Sequence, residues 1–435
     1  MLLSRAFRSV GESTTPIAFP SRRSQWARRC IRCYAVPPAE RPLLGRPSAN
    51  LKMGILGLPN IGKSSFFNAL TGSAVPAENF PFCTINPSTS QVAVPDARFD
   101  WLVDFYKPAS KIPAYLTVID IAGLVKGASD GEGLGNAFLS NISAVDGLFH
   151  LCRAYTSPDI VHVEGRIDPV DDLMIIHEEL RLKDADFLTR QLEVKKKESG
   201  RVSKGGAIDQ RKRDEYEILR KIHDWVVVQQ KEARYGDWTA EEVDVLNALH
   251  LLTAKPVVYL VNLSEEDYIL KNIPCLPKIQ AYIDEYHPGD KVIPYSGELE
   301  TAIASLTPSE RDLHMQTLAE IYEISEPPMS ALPDIILAGY EALRLTNFFT
   351  GGPDEVRAWT IRRGSKAPQA AGVIHSDFEK TFASAEVMKF TDLQELGSEE
   401  AVKSAGRCVR QGKDYVVESG DICHFKAGKI AGAKN

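Results

Sequence analysis

Apolar runs of strand length recur along the chain at Leu51–Leu58, Tyr115–Ile121, Gly147–Cys152, Pro256–Leu263 and Lys291–Tyr295. Helix-forming stretches such as Ser64–Thr71 and Gly135–Ala144 separate them. Buried strands alternating with helices predict an α/β domain whose mostly parallel sheet is covered on both faces.

Residues 170–235 break this rhythm. Leu173, Ile176, Leu180 and Phe187 form one helical stripe, and Tyr216, Leu219, Ile222 and Val226 form a second. Between them lie Lys195-Lys196-Lys197-Glu198-Ser199-Gly200 and Gly205-Gly206. The pattern predicts an antiparallel helical hairpin with a basic, glycine-rich tip, each stripe packing one helix on the other. The tip is either a partner contact or a solvated loop. Residues 344–427 carry short alternating segments, such as Val356–Ile361 and Tyr415–Val417, bounded by Gly, Pro and Asp. They predict a small mixed α+β domain.

A chain of 435 residues is too long for one ordinary core and implies two or three domains. No apolar run approaches the length needed to span a bilayer, so no membrane role is expected. Seven scattered cysteines do not suggest a disulfide framework, and Cys30-x-x-Cys33 lacks a second metal-binding pair. Charge is placed unevenly. Residues 1–34 hold seven arginines and one acid, Glu12; without them the net charge falls from −7 to −13. An acidic body argues against broad binding of a nucleic-acid backbone. The basic segment starts Met1-Leu2-Leu3-Ser4-Arg5-Ala6-Phe7-Arg8 and reaches Arg32-Cys33-Tyr34, the composition of a mitochondrial presequence. The alternatives are a disordered basic tail or a downstream start. Pro-rich residues 35–50 read as a linker.

The chemistry is carried by Gly57-Leu58-Pro59-Asn60-Ile61-Gly62-Lys63-Ser64, a complete P-loop pattern between an apolar strand and a helix. Its glycines let backbone N–H groups face phosphate oxygens, and the helix N-terminus adds its positive dipole end. Lys63 supplies a point charge to the β- and γ-phosphates, and the Ser64 hydroxyl is the expected Mg²⁺ ligand. Asp120-Ile121-Ala122-Gly123 ends the strand 115–121. There Asp120 would hold the metal, through water, and the Gly123 N–H would reach the γ-phosphate. Thr84, within Asn79–Pro87, is the candidate switch residue, its hydroxyl reaching Mg²⁺ only in the triphosphate state. The flanking prolines equally suit an ordinary turn. Lys63, Asp120 and Gly123 are thus the candidate catalytic set.

The residue after Gly123 is Leu124, where many GTPases carry the Gln that orients the attacking water. Leu124 has no hydrogen-bonding group, so another element must place that water or hydrolysis is slow until a partner assists. Glycine-rich Gly127–Gly135 has the composition of a second switch or of a plain flexible loop.

Guanine-specific P-loop proteins carry Asn-Lys-x-Asp at a later strand end. This chain has Asn262-Leu263-Ser264-Glu265. Leu263 replaces the Lys and the longer Glu265 replaces the Asp. A carboxylate set for guanine would face an acceptor on adenine, so displacing it favours ATP over GTP. Leu263 is expected to pack on the base and Asn262 to stabilise the P-loop. Tyr295-Ser296-Gly297 would supply backbone groups near the base.

Together these stretches resemble the Obg-like ATPase, or YchF, family. Further matches are His162-Val163-Glu164-Gly165, Gly133–Ser140 and Gly352-Pro353-Asp354-Glu355-Val356-Arg357-Ala358-Trp359-Thr360, so that residues 45–427 are covered. The resemblance implies a nucleotide domain over 51–343 with an inserted helical hairpin, and a C-terminal TGS domain of ubiquitin-like β-grasp fold over 344–427. It implies a Mg²⁺-dependent ATPase and association with ribosomes, the large subunit first, and with RNA; a monomer is expected. It assigns Asn60, Ile61, Gly62, Lys63, Ser64, Ser65 and Leu263 to nucleotide, and Ser64 and Thr84 to Mg²⁺. Family members usually carry Thr where this chain has Ser65, and the hydroxyl is retained. They are mostly cytosolic, so the basic extension sets a matrix location against a cytoplasmic one. Asn60 resembles the residue that holds K⁺ in cation-activated relatives. The expectation is a slow, partner-stimulated ATPase switch. A GTPase, or a ribosome- or RNA-binding protein using nucleotide only structurally, is the alternative.

Overall fold

The computed structural model describes residues 44–46, 48–72, 88–121, 142–156, 165–200 and 207–428. In the first part of the chain they form β1 (Lys52–Leu56), α1 (Lys63–Gly72), β2 (Thr89–Ala93), α2 (Ala97–Tyr106), β3 (Ser110–Ile112), β4 (Tyr115–Asp120) and β5 (Gly147–Arg153). Then come α3 (Pro169–Gly200), α4 (Ala207–His223), α5 (Ala240–Leu249), β6 (Val257–Asn262), α6 (Glu265–Ile269), α7 (Leu276–Tyr286), β7 (Lys291–Tyr295), α8 (Gly297–Ala304), α9 (Pro308–Ile321) and α10 (Leu332–Ala342). The first sheet has the order β2-β4-β1-β5-β6-β7. All its pairs are parallel except β2 with β4. The five apolar runs fall on β1, β4, β5, β6 and β7. Every residue of β5 and β6 is buried, the reason these strands read as unbroken apolar runs. β1 lies between β4 and β5, so the chain leaves it toward one edge and later crosses to the other. The C-terminal end of β1 is therefore the switch point where α/β sheets open a ligand crevice.

α3 and α4 run antiparallel. Thr189 Oγ1 lies 3.5 Å from His223 Nε2, and Lys195 Nζ lies 3.2 Å from Glu215 Oε2, so later α3 residues meet earlier α4 residues. Their packing differs from the expected pairing of two stripes. Leu173, Ile176 and Leu180 join the main core over the parallel sheet. Only the outer half of α3 packs on α4, where Leu188 meets Leu219, Ile222 and Val226, with Trp238, Val243 and Leu246 completing the cluster. Phe187 is 37% exposed, and its neighbour Leu188 is buried instead. The helix turns about 100° per residue, so one position separates the buried face from its flank. Residues at the end of the expected linker are tied down. Arg46 makes a two-pronged ion pair with Asp146 at 2.7 Å, and Gly45 N donates to Asn247 Oδ1.

The C-terminal part contains β8 (Leu345–Gly351), β9 (Glu355–Arg362), α11 (Ala367–Ile374), α12 (Ser376–Lys380), β10 (Phe382–Lys389), α13 (Phe390–Leu396), α14 (Glu399–Ser404), β11 (Val409–Gln411) and β12 (Asp421–Ala427). Its sheet has the order β11-β10-β12-β8-β9-β3. The last member comes from the first part of the chain: β3 pairs parallel with β9.

Candidate functional site

The P-loop leaves β1 through backbone that few residues tolerate. Gly62 has φ +97°, and a Cβ there would sit 2.5 Å from Asn262 Nδ2. A Cβ on Gly57 would sit 2.2 Å from Ile61 Cδ1 and 2.7 Å from Leu151 O. Asn60 has φ 62°, a left-handed conformation that asparagine accepts more readily than most residues. Lys63 then opens α1, with Phe66 N bonded to Gly62 O at 2.9 Å.

Lys63 is 9% exposed, and its ammonium donates to Leu58 O at 2.7 Å, lying across the loop it serves. Burial pulls its pKa down to about 8, and the nearby Asp120 carboxylate opposes that shift. Asp120 ends β4 and accepts from Ser64 Oγ at 3.3 Å. Burial raises its pKa, while Ser64 and Lys63 pull it back. A hydroxyl and a carboxylate set this close are hard oxygen donors, the chemistry that suits Mg²⁺. Ser64 and Ser65 are exposed, whereas Ile61 is fully buried and offers only backbone to a ligand.

The base-side segment is organised by Asn262, the last residue of β6. Its Nδ2 donates to Ile61 O at 3.0 Å, and its Oδ1 accepts from Gly297 N at 2.9 Å. That second bond modifies the expected role of Tyr295-Ser296-Gly297. The Gly297 N–H is already used, and Tyr295 O accepts from Leu263 N at 2.8 Å. Ser296 is fully buried and caps α8 by accepting from Leu299 N. Leu263 is 3% exposed and joins the main core. Glu265 starts α6 after the Ser264 cap, and its carboxylate faces the Tyr322 phenol.

Sequence reasoning missed Arg153. It ends β5 with no exposed surface, and its Nη1 donates to Asn60 O at 3.4 Å. The available signal was a charged residue closing an otherwise apolar run. Thr84, Gly123 and Leu124 lie outside the described residues, as do Asn79–Pro87, Gly127–Gly135 and His162–Glu164.

With this geometry in place, comparisons with known proteins decide the family. A model described as 50S ribosome-binding GTPase matches residues 52–189, and YchF-GTPase_C, a protein of unknown function, matches residues 345–428. Human Obg-like ATPase 1 is 55% identical over 386 residues, covering 88% of this chain and 94% of that protein. Rice Obg-like ATPase 1 is 51% identical, covering 91% and 97%. This chain belongs to the Obg-like ATPase (YchF) family. A solved Schizosaccharomyces pombe structure, described as a YchF GTPase, superposes with TM-score 0.81 at 48% identity, covering 89% of this chain and all of that one. An Obg-like ATPase fold explains both parts of the molecule: a P-loop GTPase-type α/β domain and a YchF C-terminal domain.

Proposed function

We propose that the protein is a Mg²⁺-dependent ATPase switch that works with ribosomes and acts on translation, as a monomer. The carrying observation is the base-side segment: a buried leucine follows the strand-end asparagine, and Glu265, which stands where the guanine-reading Asp would, faces Tyr322. Glu265 is thereby engaged by Tyr322 rather than held for a guanine edge, which supports adenine preference. The name Obg-like ATPase 1 on the relatives agrees with it. In this reading Lys63 exchanges Leu58 O for the β- and γ-phosphates. Ser64, Thr84 and Asp120 would hold Mg²⁺, and the ion would supply charge neutralisation for the phosphates. Asn262 keeps the P-loop in its receptive shape. α3 and α4 form the inserted helical hairpin, and the C-terminal sheet is a TGS domain of β-grasp type.

Single-turnover hydrolysis with K63A as control tests the reading. Phosphate release is expected to depend on Lys63. Equal release from both proteins would leave a ribosome- or RNA-binding protein that uses nucleotide only structurally. GTPase is the second reading, favoured by the word GTPase in the matched model and structure. Calorimetric titration with both nucleotides separates the two, and tighter GTP binding would overturn adenine preference. K⁺ held by Asn60 is part of the proposal, and equal turnover in Na⁺ and K⁺ buffers would remove it. The proposed compartment is the mitochondrial matrix, with the cytoplasm as alternative. Co-sedimentation of tagged protein with mitochondrial or cytosolic ribosomes tests compartment and partner together.

A further inference from the structure

Two neighbouring strand ends reach the P-loop. Arg153, the last residue of β5, lies beside Asn262, the last of β6, in the parallel ladder. Arg153 Nη1 donates to Asn60 O at 3.4 Å, a long but charge-assisted bond, and Asn262 Nδ2 donates to Ile61 O at 3.0 Å. Consecutive carbonyls of the phosphate loop are therefore held by adjacent side chains. Arg153 is itself fixed: its Nε donates to Tyr155 O at 2.9 Å, and its guanidinium lies 4.6 Å over the Tyr155 ring.

The consequence follows from peptide geometry. A trans peptide points its C=O and N–H in opposite directions. Holding the carbonyls of Asn60 and Ile61 toward β5 and β6 turns the N–H groups of Ile61 and Gly62 the other way, where an anion would sit. An Asn-Lys-x-Asp segment carries its cation one residue past the strand-end asparagine, and here that residue is Leu263. We propose that Arg153 is a positioning residue of the phosphate cradle, bringing from β5 the cation that position 263 lacks. Loop geometry is then held separately from base choice, so residue 263 is free to be apolar. The inference rests on the nucleotide-hydrolase reading above.

The test compares R153M, R153Q and R153K in the full chain, using fluorescent ADP binding, steady-state ATP hydrolysis and unfolding without nucleotide. In R153M and R153Q the Kd for ADP and KM for ATP are expected to rise about tenfold or more, with kcat changed less than about threefold. The ATP-to-GTP affinity ratio stays at its wild-type value, and the nucleotide-free unfolding temperature stays within a few degrees. R153K keeps the charge and one donor, and recovers part of the lost affinity. Wild-type affinity in R153M and R153Q would overturn the proposal. So would losses that track a lowered unfolding temperature with R153K no better, which is the signature of a purely structural arginine. Should R153M not fold, R153Q carries the same comparison. Failure of the hydrolase reading looks different: wild type would release phosphate no faster than K63A, whatever the ADP affinity of the Arg153 variants.

Discussion

Lys63 carries its charge into a site where water is scarce. Burial costs the ammonium more than Asp120 returns, and the pKa settles at about 8 rather than 10.5. The charged form is the one that pairs with phosphate. Affinity for ADP is therefore expected to hold below about pH 8 and to weaken as pH rises through it, approaching tenfold per pH unit. Fluorescent ADP titrations across that range check this, and a flat profile would contradict it. Stability of the free protein has the opposite sign. Between about pH 8 and 10.5 the unfolded chain binds a proton that the folded chain does not, so folding gains as pH rises. Gly62 shows a second constraint of this scale. G62A would force a Cβ at φ +97° against Asn262 Nδ2 and release the tie on Ile61 O. Nucleotide affinity is expected to drop at least about tenfold, with a lowered unfolding temperature as the companion measurement.

At the scale of elements, α3 is one helix with two jobs. Its first half belongs to the sheet's core, and its outer half to α4 and α5. The change-over is pinned at Asp184, which accepts from Leu252 N at 2.9 Å, Thr253 N at 2.8 Å and Thr253 Oγ1 at 2.6 Å. Burial raises its pKa to about 6 against the pull of these donors. D184A orphans three buried donors and is expected to cost roughly 3 kcal/mol, read by urea unfolding.

A ring of hydrogen bonds and ion pairs binds the same helix to β6 and α7. Arg234 donates to the Tyr259 hydroxyl at 3.2 Å, and that hydroxyl lies 3.1 Å from His177 Nε2. His177 Nδ1 lies 3.0 Å from the Tyr282 hydroxyl, which is 3.3 Å from His287 Nε2. His287 Nδ1 faces Glu232 Oε2 at 3.5 Å, and Arg234 returns to that oxygen at 2.8 Å. Tyr235, Asp290 and His150 border the ring. The donor atoms of His177, Glu232 and His287 lie within 4.8 Å of one another, close enough for a metal to draw together. Arg234 already supplies the positive charge there. Burial holds His177 well below its usual pKa and His150 at about 3. Both are neutral in the fold, while unfolded histidines protonate below about pH 6.5. Their contribution is therefore complete above that value and is lost as pH falls toward 3, by up to about 1.4 kcal/mol per pH unit for each proton. Acid titration of stability, followed by the fluorescence of Trp225 and Trp238, tests this; no loss between about pH 6.5 and 4 would contradict it.

Across the whole molecule, the C-terminal sheet is not an appendage. β3 donates an edge strand to it, and Phe349, Val356, Leu393 and Ile422 share one core with Met53 and Phe149. Polar ties reinforce the join: Asn347 Nδ2 donates to Asp96 Oδ2 at 3.1 Å, and the Tyr106 hydroxyl donates to Glu399 Oε1 at 2.6 Å. Contiguous burial of this kind couples the unfolding of both parts. Denaturation followed by the fluorescence of Trp225 and Trp238 and by far-UV circular dichroism is expected to give coincident transitions, and a separate early C-terminal transition would contradict it.

Some of this was legible in the chain alone. Apolar runs located β1, β4, β5, β6 and the edge strand β7, because strands covered by helices carry few polar positions. The P-loop was legible because its function needs particular backbone freedom and one lysine at fixed spacing. Other features exist only through partners. β2 is a half-polar edge, and β3 is the three-residue Ser110-Lys111-Ile112, a strand only because β9 offers an open edge. The split in α3 depends on what each half meets. Arg153 gains its meaning from standing beside Asn262, a neighbour 109 positions away that parallel register alone brings to the P-loop. Local pattern determines what a segment must bury; only the tertiary structure decides which groups share the crevice at the end of β1.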